Sequence, residues 1–289
     1  MVLCPLLWST AGVVTKQLSS AQTFEVTFWR SFFTFVSLLV LLPLMRGKDW
    51  YKTVPWRSSA LWVSGICWSV MFSAFMIALV LTSVANVLIT LAAGPLLTAL
   101  VSRLVTGHKL PNRTYYAIAI AAFGIGYMFW SQFAVGKPSD IAGCLIAFLV
   151  PICGSIMWTN AQIQQMKSIQ GSGTSIDLVP SVFLGAIISS ITMLPFALPF
   201  QASSHDVAWL GFLGLFQLAI PCTLAVISSR VLKAAEVSLL ALLEIVFGIA
   251  SAWIFIGEAP THQVLTGGAL VMTALIGNIL LGMKDERES

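Results

Sequence analysis

"AAEVSLLALLEIVFGIASAWIFIGEAP" occupies residues 234–260 and holds one carboxylate, Glu244, in the middle of an otherwise apolar helix-length run. Glu236 and Glu258 mark its ends, so only Glu244 needs a special explanation. The rest of the chain identifies the solvent. Of 289 residues, 58% are hydrophobic and 9% charged, whereas soluble domains run near about 45–50% apolar and about 25% charged. A soluble fold of this length cannot hide that much apolar surface behind a wetted exterior. The chain is expected to be an all-α integral membrane protein.

A spanning helix needs about 20 mostly apolar residues. Ten such runs are read, at roughly 2–19, 24–45, 58–81, 84–106, 114–131, 140–163, 176–199, 207–229, 235–257 and 262–283. Basic residues collect on the cytoplasmic side of spanning helices. With ten passes, one side receives Arg46, Lys48, Lys52, Arg57, Arg103, Lys109, Arg113, Lys167, Arg230, Lys233, Lys284 and Arg287, and the other only Lys16 and Lys137. Both termini are therefore expected in the cytoplasm of a multi-pass plasma membrane protein, in bacteria the inner membrane. "MVLCPLLW" has no charged region ahead of its apolar run, so no cleaved signal peptide is expected.

One offset recurs. "LLWST" at 6–10 and "IMWTN" at 156–160 place Trp8 and Trp158 150 residues apart. "ANVL" at 85–88 in a run ending at Gly107, and "AEVS" at 235–238 in a run ending at Gly257, share that spacing. This reads as two copies of a five-helix unit, 1–138 and 139–289. Five is odd, so the second copy enters the membrane upside down. Ten helices then form two inverted five-helix repeats around a central cavity, the plan by which many secondary transporters hold a midplane solute site.

The ten spans, the "LLWST" start, "TSVANVLITLAAGPLLTALVSRLVTGHKL" at 82–110 and the opening stretch at 234–260 resemble the EamA-type drug/metabolite transporter family over essentially the whole chain. Glu244 and the pair Gly257-Glu258 match the family pattern. Ile245 replaces its proline, although Pro95 follows Gly94 in the first copy, and Gly107-His108 departs from its Gly-Glu ending. The resemblance implies an inverted-repeat exporter of amino acids, other metabolites or drugs. It also implies a cavity lined by the first, third, fourth, sixth, eighth and ninth helices.

On those helices, polar, aromatic and small residues at helical spacing mark candidate lining positions: Trp8, Gly12, Trp68, Asn86, Thr90, Ser155, Trp158, Gln162, Gln217, Glu244 and Ser251. Each has a plainer alternative, because Trp also anchors at membrane interfaces and small or amide residues also pack and tie helices. Pro95, Pro151 and Pro221 interrupt these helices and are candidate hinges or static kinks. Glu244 lies roughly 13 Å along its helix at about 1.5 Å per residue, close to the midplane of a core about 30 Å thick. It could be a protonatable coupling site or a structural acceptor. Arg30 lies about six residues into its span, near enough to the interface to snorkel, with Glu25 its nearer partner and a Glu244 pair not favoured.

Amides, hydroxyls and aromatics with one carboxylate and no firmly placed base suit small neutral or zwitterionic solutes such as amino acids. A proton-coupled exporter of amphipathic drugs is the alternative, and a non-transporting scaffold or an intramembrane enzyme the rival class. No nucleic-acid stripe, metal-ligand spacing, nucleophile elbow or phosphate-binding loop is present, and the five cysteines form no CxxC pair. No cofactor is expected. Small solute and membrane lipid are the expected partners, with a homodimer left open.

Overall fold

The computed structural model describes residues 1–15, 17–82, 84–107, 110–130, 137–170, 175–257 and 261–288. They are all-helical: α1 (Leu3–Trp8), α2 (Thr10–Thr15), α3 (Thr23–Arg46), α4 (Trp50–Thr53), α5 (Ser59–Leu81), α6 (Val84–Leu91), α7 (Gly94–Thr106), α8 (Asn112–Phe129), α9 (Pro138–Gln170), α10 (Pro180–Ala197), α11 (Ser204–Phe212), a π-helical stretch (Leu213–Ala219), α12 (Ile220–Ser228), α13 (Ala234–Ala241), α14 (Leu243–Ile256) and α15 (His262–Glu288).

Seven segments among the described residues, and not ten, are long and apolar enough to cross a membrane: Thr23–Arg46, Ser59–Leu81, Asn86–Thr106, Pro138–Ile169, Pro180–Ala197, Ser204–Ser228 and Ala234–Phe255. The other three expected crossings fall on α1–α2, α8 and α15. The first is two six-residue helices broken at Ser9. α8 opens on Asn112, Arg113 and Thr114 and carries three tyrosines, which shortens its apolar run. α15 ends in a charged tail, and its side chains at 279 and 282–288 lie outside the described set.

The 150-residue offset read from the sequence reappears in local geometry. α6 and α13 start at Val84 and Ala234, and α7 and α14 end at Thr106 and Ile256. Between them the helix tightens at one equivalent step, where Ala92 divides its N–H between the Leu88 and Ile89 carbonyls and Leu242 donates to the Leu239 carbonyl three residues back. Both units close on a left-handed glycine, Gly107 at φ 72° and Gly257 at φ 77°. A side chain is strained there, and the turn lets each cap N–H reach the carbonyl four residues back, of Arg103 and of Trp253.

Packing follows the same exchange of counterparts. α5 meets α9 while α12 meets α1; α7 meets α9 while α14 meets α2 and α1; α10 meets α5 while the π-helical stretch meets α3. α3 pairs with α10, and α8 with α15. Lipid tails are as apolar as leucine, so close backbone approach and polar ties hold such helices together. A Cβ on Gly185 would lie 2.4 Å from the Trp68 Cβ, and one on Gly214 would lie 2.5 Å from the Phe33 Cβ. At the same crossings the hydroxyls of Ser31 and Ser73 both meet that of Ser189, at 2.9 and 3.0 Å, joining α3, α5 and α10.

Candidate functional site

The helix breaks and the α5–α9 contact surround one cavity of about 160 Å³. Its aromatic wall is Trp8, Trp68, Phe72, Phe75 and Trp158. Trp68 and Trp158 stand edge to face at 6.0 Å, so α5 and α9 present a single rigid corner. Gly94 and Pro95 enter just beyond the α6–α7 break, and Leu242, Glu244 and Ile245 just beyond its counterpart. Val150, Pro151, Gly154 and Ser155 supply a narrow stretch of α9, and Gln217, Leu218 and Cys222 close the side formed by the π-helical stretch and α12.

The polar content is sparse and uneven. Arg30 lines the cavity at 2% exposure, which corrects the expectation of a snorkelling side chain. The reason is the α3 face: Thr27, Arg30, Ser31 and Thr34 lie at helical spacing and are all buried. Glu25 is not its partner. Glu25 instead accepts from the Trp29 indole and the backbone N–H groups of Gln201 and Ala202. Arg30 Nη2 donates to the Phe72 carbonyl at 3.2 Å, and its Nε has no hydrogen-bond partner. Trp68 Nε1 and Gln217 Oε1 are likewise buried and unpaired. Glu244 faces the same cavity within electrostatic reach of Arg30 and accepts no hydrogen bond among the described residues.

Of the positions singled out in the sequence, Trp8, Trp68, Ser155, Trp158, Gln217, Glu244, Pro95 and Pro151 lie on this cavity. The others lie elsewhere. Gln162 accepts from the Ser102 hydroxyl and the Ala234 N–H, tying α9 to α7 and α13. Asn86 donates to Thr82, and Thr90 to the Asn86 carbonyl. Ser251 is half-buried on α14, away from the cavity, and the Gly12 surroundings are outside the described side chains. Pro221 opens α12 next to the π-helical stretch and Pro95 opens α7 at its break, whereas α9 runs through Pro151 without interruption.

The two ends of the bundle are closed differently. Near residues 19–25 and 200–206, each half grips a loop of the other with a buried carboxylate. Asp206 closes a capping box with Ser203 and also accepts from the N–H groups of Ser19, Ser20 and Ala21 at 3.0, 3.0 and 3.1 Å. Glu25 returns the grip on Gln201 and Ala202. At the opposite end Asp177 pairs with Arg46 and with Arg230, all partly exposed. A polar vestibule of about 260 Å³ opens there, lined by Gln164, Gln165, Asp177 and Arg230. Its walls at Ala161 and Val226 follow Trp158 and Cys222 of the central cavity by about one turn along α9 and α12.

The profile of the EamA-like transporter family matches residues 1–130 and, a second time, 141–280. No curated protein matches. A solved structure named only "Crystal structure of protein" is similar over 98% of this chain and 96% of that chain, with a TM-score of 0.79 at 18% identity. At that identity the likeness speaks for the fold alone.

Proposed function

The chain belongs to the EamA-like transporter family, and we propose that it is a secondary transporter of the bacterial inner membrane that exports small neutral or zwitterionic metabolites, amino acids foremost, by alternating access. In this reading ten helices form two inverted five-helix halves, with both termini in the cytoplasm. The seven crossings recognised by length are joined by α1–α2, α8 and α15, whose contacts obey the same exchange as the rest. EamA is a transporter family and not an enzymatic one.

One observation carries the solute class. The cavity combines an aromatic wall with a single cation, Arg30, and a single anion, Glu244, among its described lining. The deep base that the sequence reading lacked is present, yet it is balanced. A phosphorylated sugar would bring two negative charges to one arginine and one carboxylate, whereas a zwitterion or neutral amphiphile leaves no charge unmatched. At about 160 Å³ the cavity is also smaller than the roughly 300–1,000 Å³ of drug-sized sites, which favours metabolites over drugs. Glu244 is the candidate coupling residue.

The test is a counterflow panel in proteoliposomes loaded with amino acids, sugar phosphates or cationic drugs. Exchange of amino acids without exchange of phosphate esters is expected. Phosphate-ester exchange with no movement of amino acids would contradict the proposal, and no flux of any solute would favour a scaffold.

A further inference from the structure

The cavity holds two unpaired donors and two acceptors without a donor among the described residues, each on a different element. Arg30 Nε and Trp68 Nε1 come from α3 and α5 and have no hydrogen-bond partner. Gln217 Oε1 and the Glu244 carboxylate come from the π-helical stretch and α14 and accept nothing among the described residues. A buried polar atom without a partner is uncommon in a settled core and calls for an explanation. Here three of them, with the half-buried Glu244 carboxylate beside them, face one space. Elsewhere among the described residues the unpaired side chains include the small hydroxyls of Thr159, Ser181 and Thr223, whereas the Ser31–Ser189–Ser73 hydroxyls and the Gln162 bridge are satisfied. What sets the cavity apart is that its unpaired groups share one space with a cation and an anion. The missing partners are those a solute with one negative and one positive end brings.

Resting on the transport reading above, we propose that Arg30 and Glu244 set specificity by reading opposite ends of one zwitterion. The Nε–H of Arg30 and the indole N–H of Trp68 receive the solute carboxylate. Glu244 and the Gln217 carbonyl oxygen receive its ammonium group. Trp8 and Trp158, both on the aromatic wall, hold the apolar side chain between them. Arg30 is preset for the task, because its Nη2 is fixed on the Phe72 carbonyl while Nε stays free. The rival account makes Arg30 and Glu244 compensate each other as a structural pair with no part in recognition.

Analogues blocked at one end separate the two accounts. The full chain in liposomes, loaded with L-leucine, is challenged with L-leucine, its methyl ester (ammonium end only) and N-acetyl-L-leucine (carboxylate end only). Wild type should prefer leucine over either analogue by roughly ten- to a hundred-fold, the size of one charge-assisted hydrogen bond. Arg30→Gln should erase the preference over the methyl ester and keep that over the N-acetyl form; Glu244→Gln should do the reverse. Arg30→Lys keeps the charge without the Nε donor and should retain a reduced preference over the ester, and it decides the point if Arg30→Gln fails to fold by thermal melting. Leucine exchange in wild type with unchanged preferences in Arg30→Lys and Glu244→Gln would overturn the assignment and leave the transport reading standing. Drug or phosphate-ester exchange without leucine exchange would overturn both.

Discussion

Asp206 is the strongest tie across one end of the bundle, and replacing it with asparagine should unlatch that end. Its side chain is fully buried. Oδ2 accepts from Ser20 N, Ser20 Oγ and Ala21 N, and Oδ1 from Ser19 N and Ser19 Oγ. Asparagine turns one of these oxygens into an NH₂ group that faces donors. If the remaining oxygen keeps Ser20 and Ala21, the Ser19 N–H loses its acceptor but belongs to an exposed residue and turns to water, so that loss is about 1 kcal/mol or less. The surviving bonds also pass from charge-assisted to neutral, a loss of about 1 kcal/mol each that is not additive. A net of about 1–3 kcal/mol favours opening by roughly 5- to 150-fold, at tenfold per about 1.4 kcal/mol. Cys222 reports the change, because it lines the cavity and is 1% exposed. With the other four cysteines replaced, a membrane-impermeant thiol reagent added on the Asp206 side should label Cys222 much faster in Asp206→Asn than in its parent. Labelling from the opposite side should not rise, which separates unlatching from unfolding. Equal rates from the Asp206 side would refute the latch.

Glu244→Gln should leave amino-acid counterflow measurable while proton-driven export and its pH dependence disappear; unchanged transport with an unchanged pH profile would remove Glu244 from coupling. Gly185→Val inserts a side chain where even a Cβ falls 2.4 Å from Trp68, so it should lower stability in detergent by about 1–3 kcal/mol, as overpacking does, and displace one cavity wall. Asp177→Asn removes only partly exposed pairs with Arg46 and Arg230. It should cost under about 1 kcal/mol, and Cys222 labelling from that side should change far less than Asp206→Asn changes it from the other.

What the sequence made legible was whatever repeats or carries a period. The shared offset anticipated the paired glycine caps, because backbone geometry follows local sequence at equivalent positions, whereas the paired breaks fall inside the runs 84–106 and 235–257, which were read as continuous. The aromatic wall was legible for a similar reason: Trp8, Trp68 and Trp158 are large, apolar and placed inside spans. Gln162 and Asn86 were not separable from it, since an amide that ties helices and an amide that binds solute look alike until partners are known. Arg30 was misread because depth was counted from the start of the span. The polar stripe Thr27, Arg30, Ser31 and Thr34 carried the better signal, as four such residues on one face of a membrane helix turn that face inward. The grip of Asp206 on residues 19–21 joins positions more than 180 residues apart and had no local signature at all.

The proposal that the two halves are inserted in opposite senses accounts for the cavity, the paired breaks and the reciprocal carboxylate grips, and membrane topology tests it directly. Reporters active on only one side of the membrane, fused after the equivalent caps Gly107 and Gly257, should report opposite compartments, with Gly107 on the cytoplasmic side. Both reporters in the same compartment would mean that the halves enter the membrane in parallel, and would contradict the account.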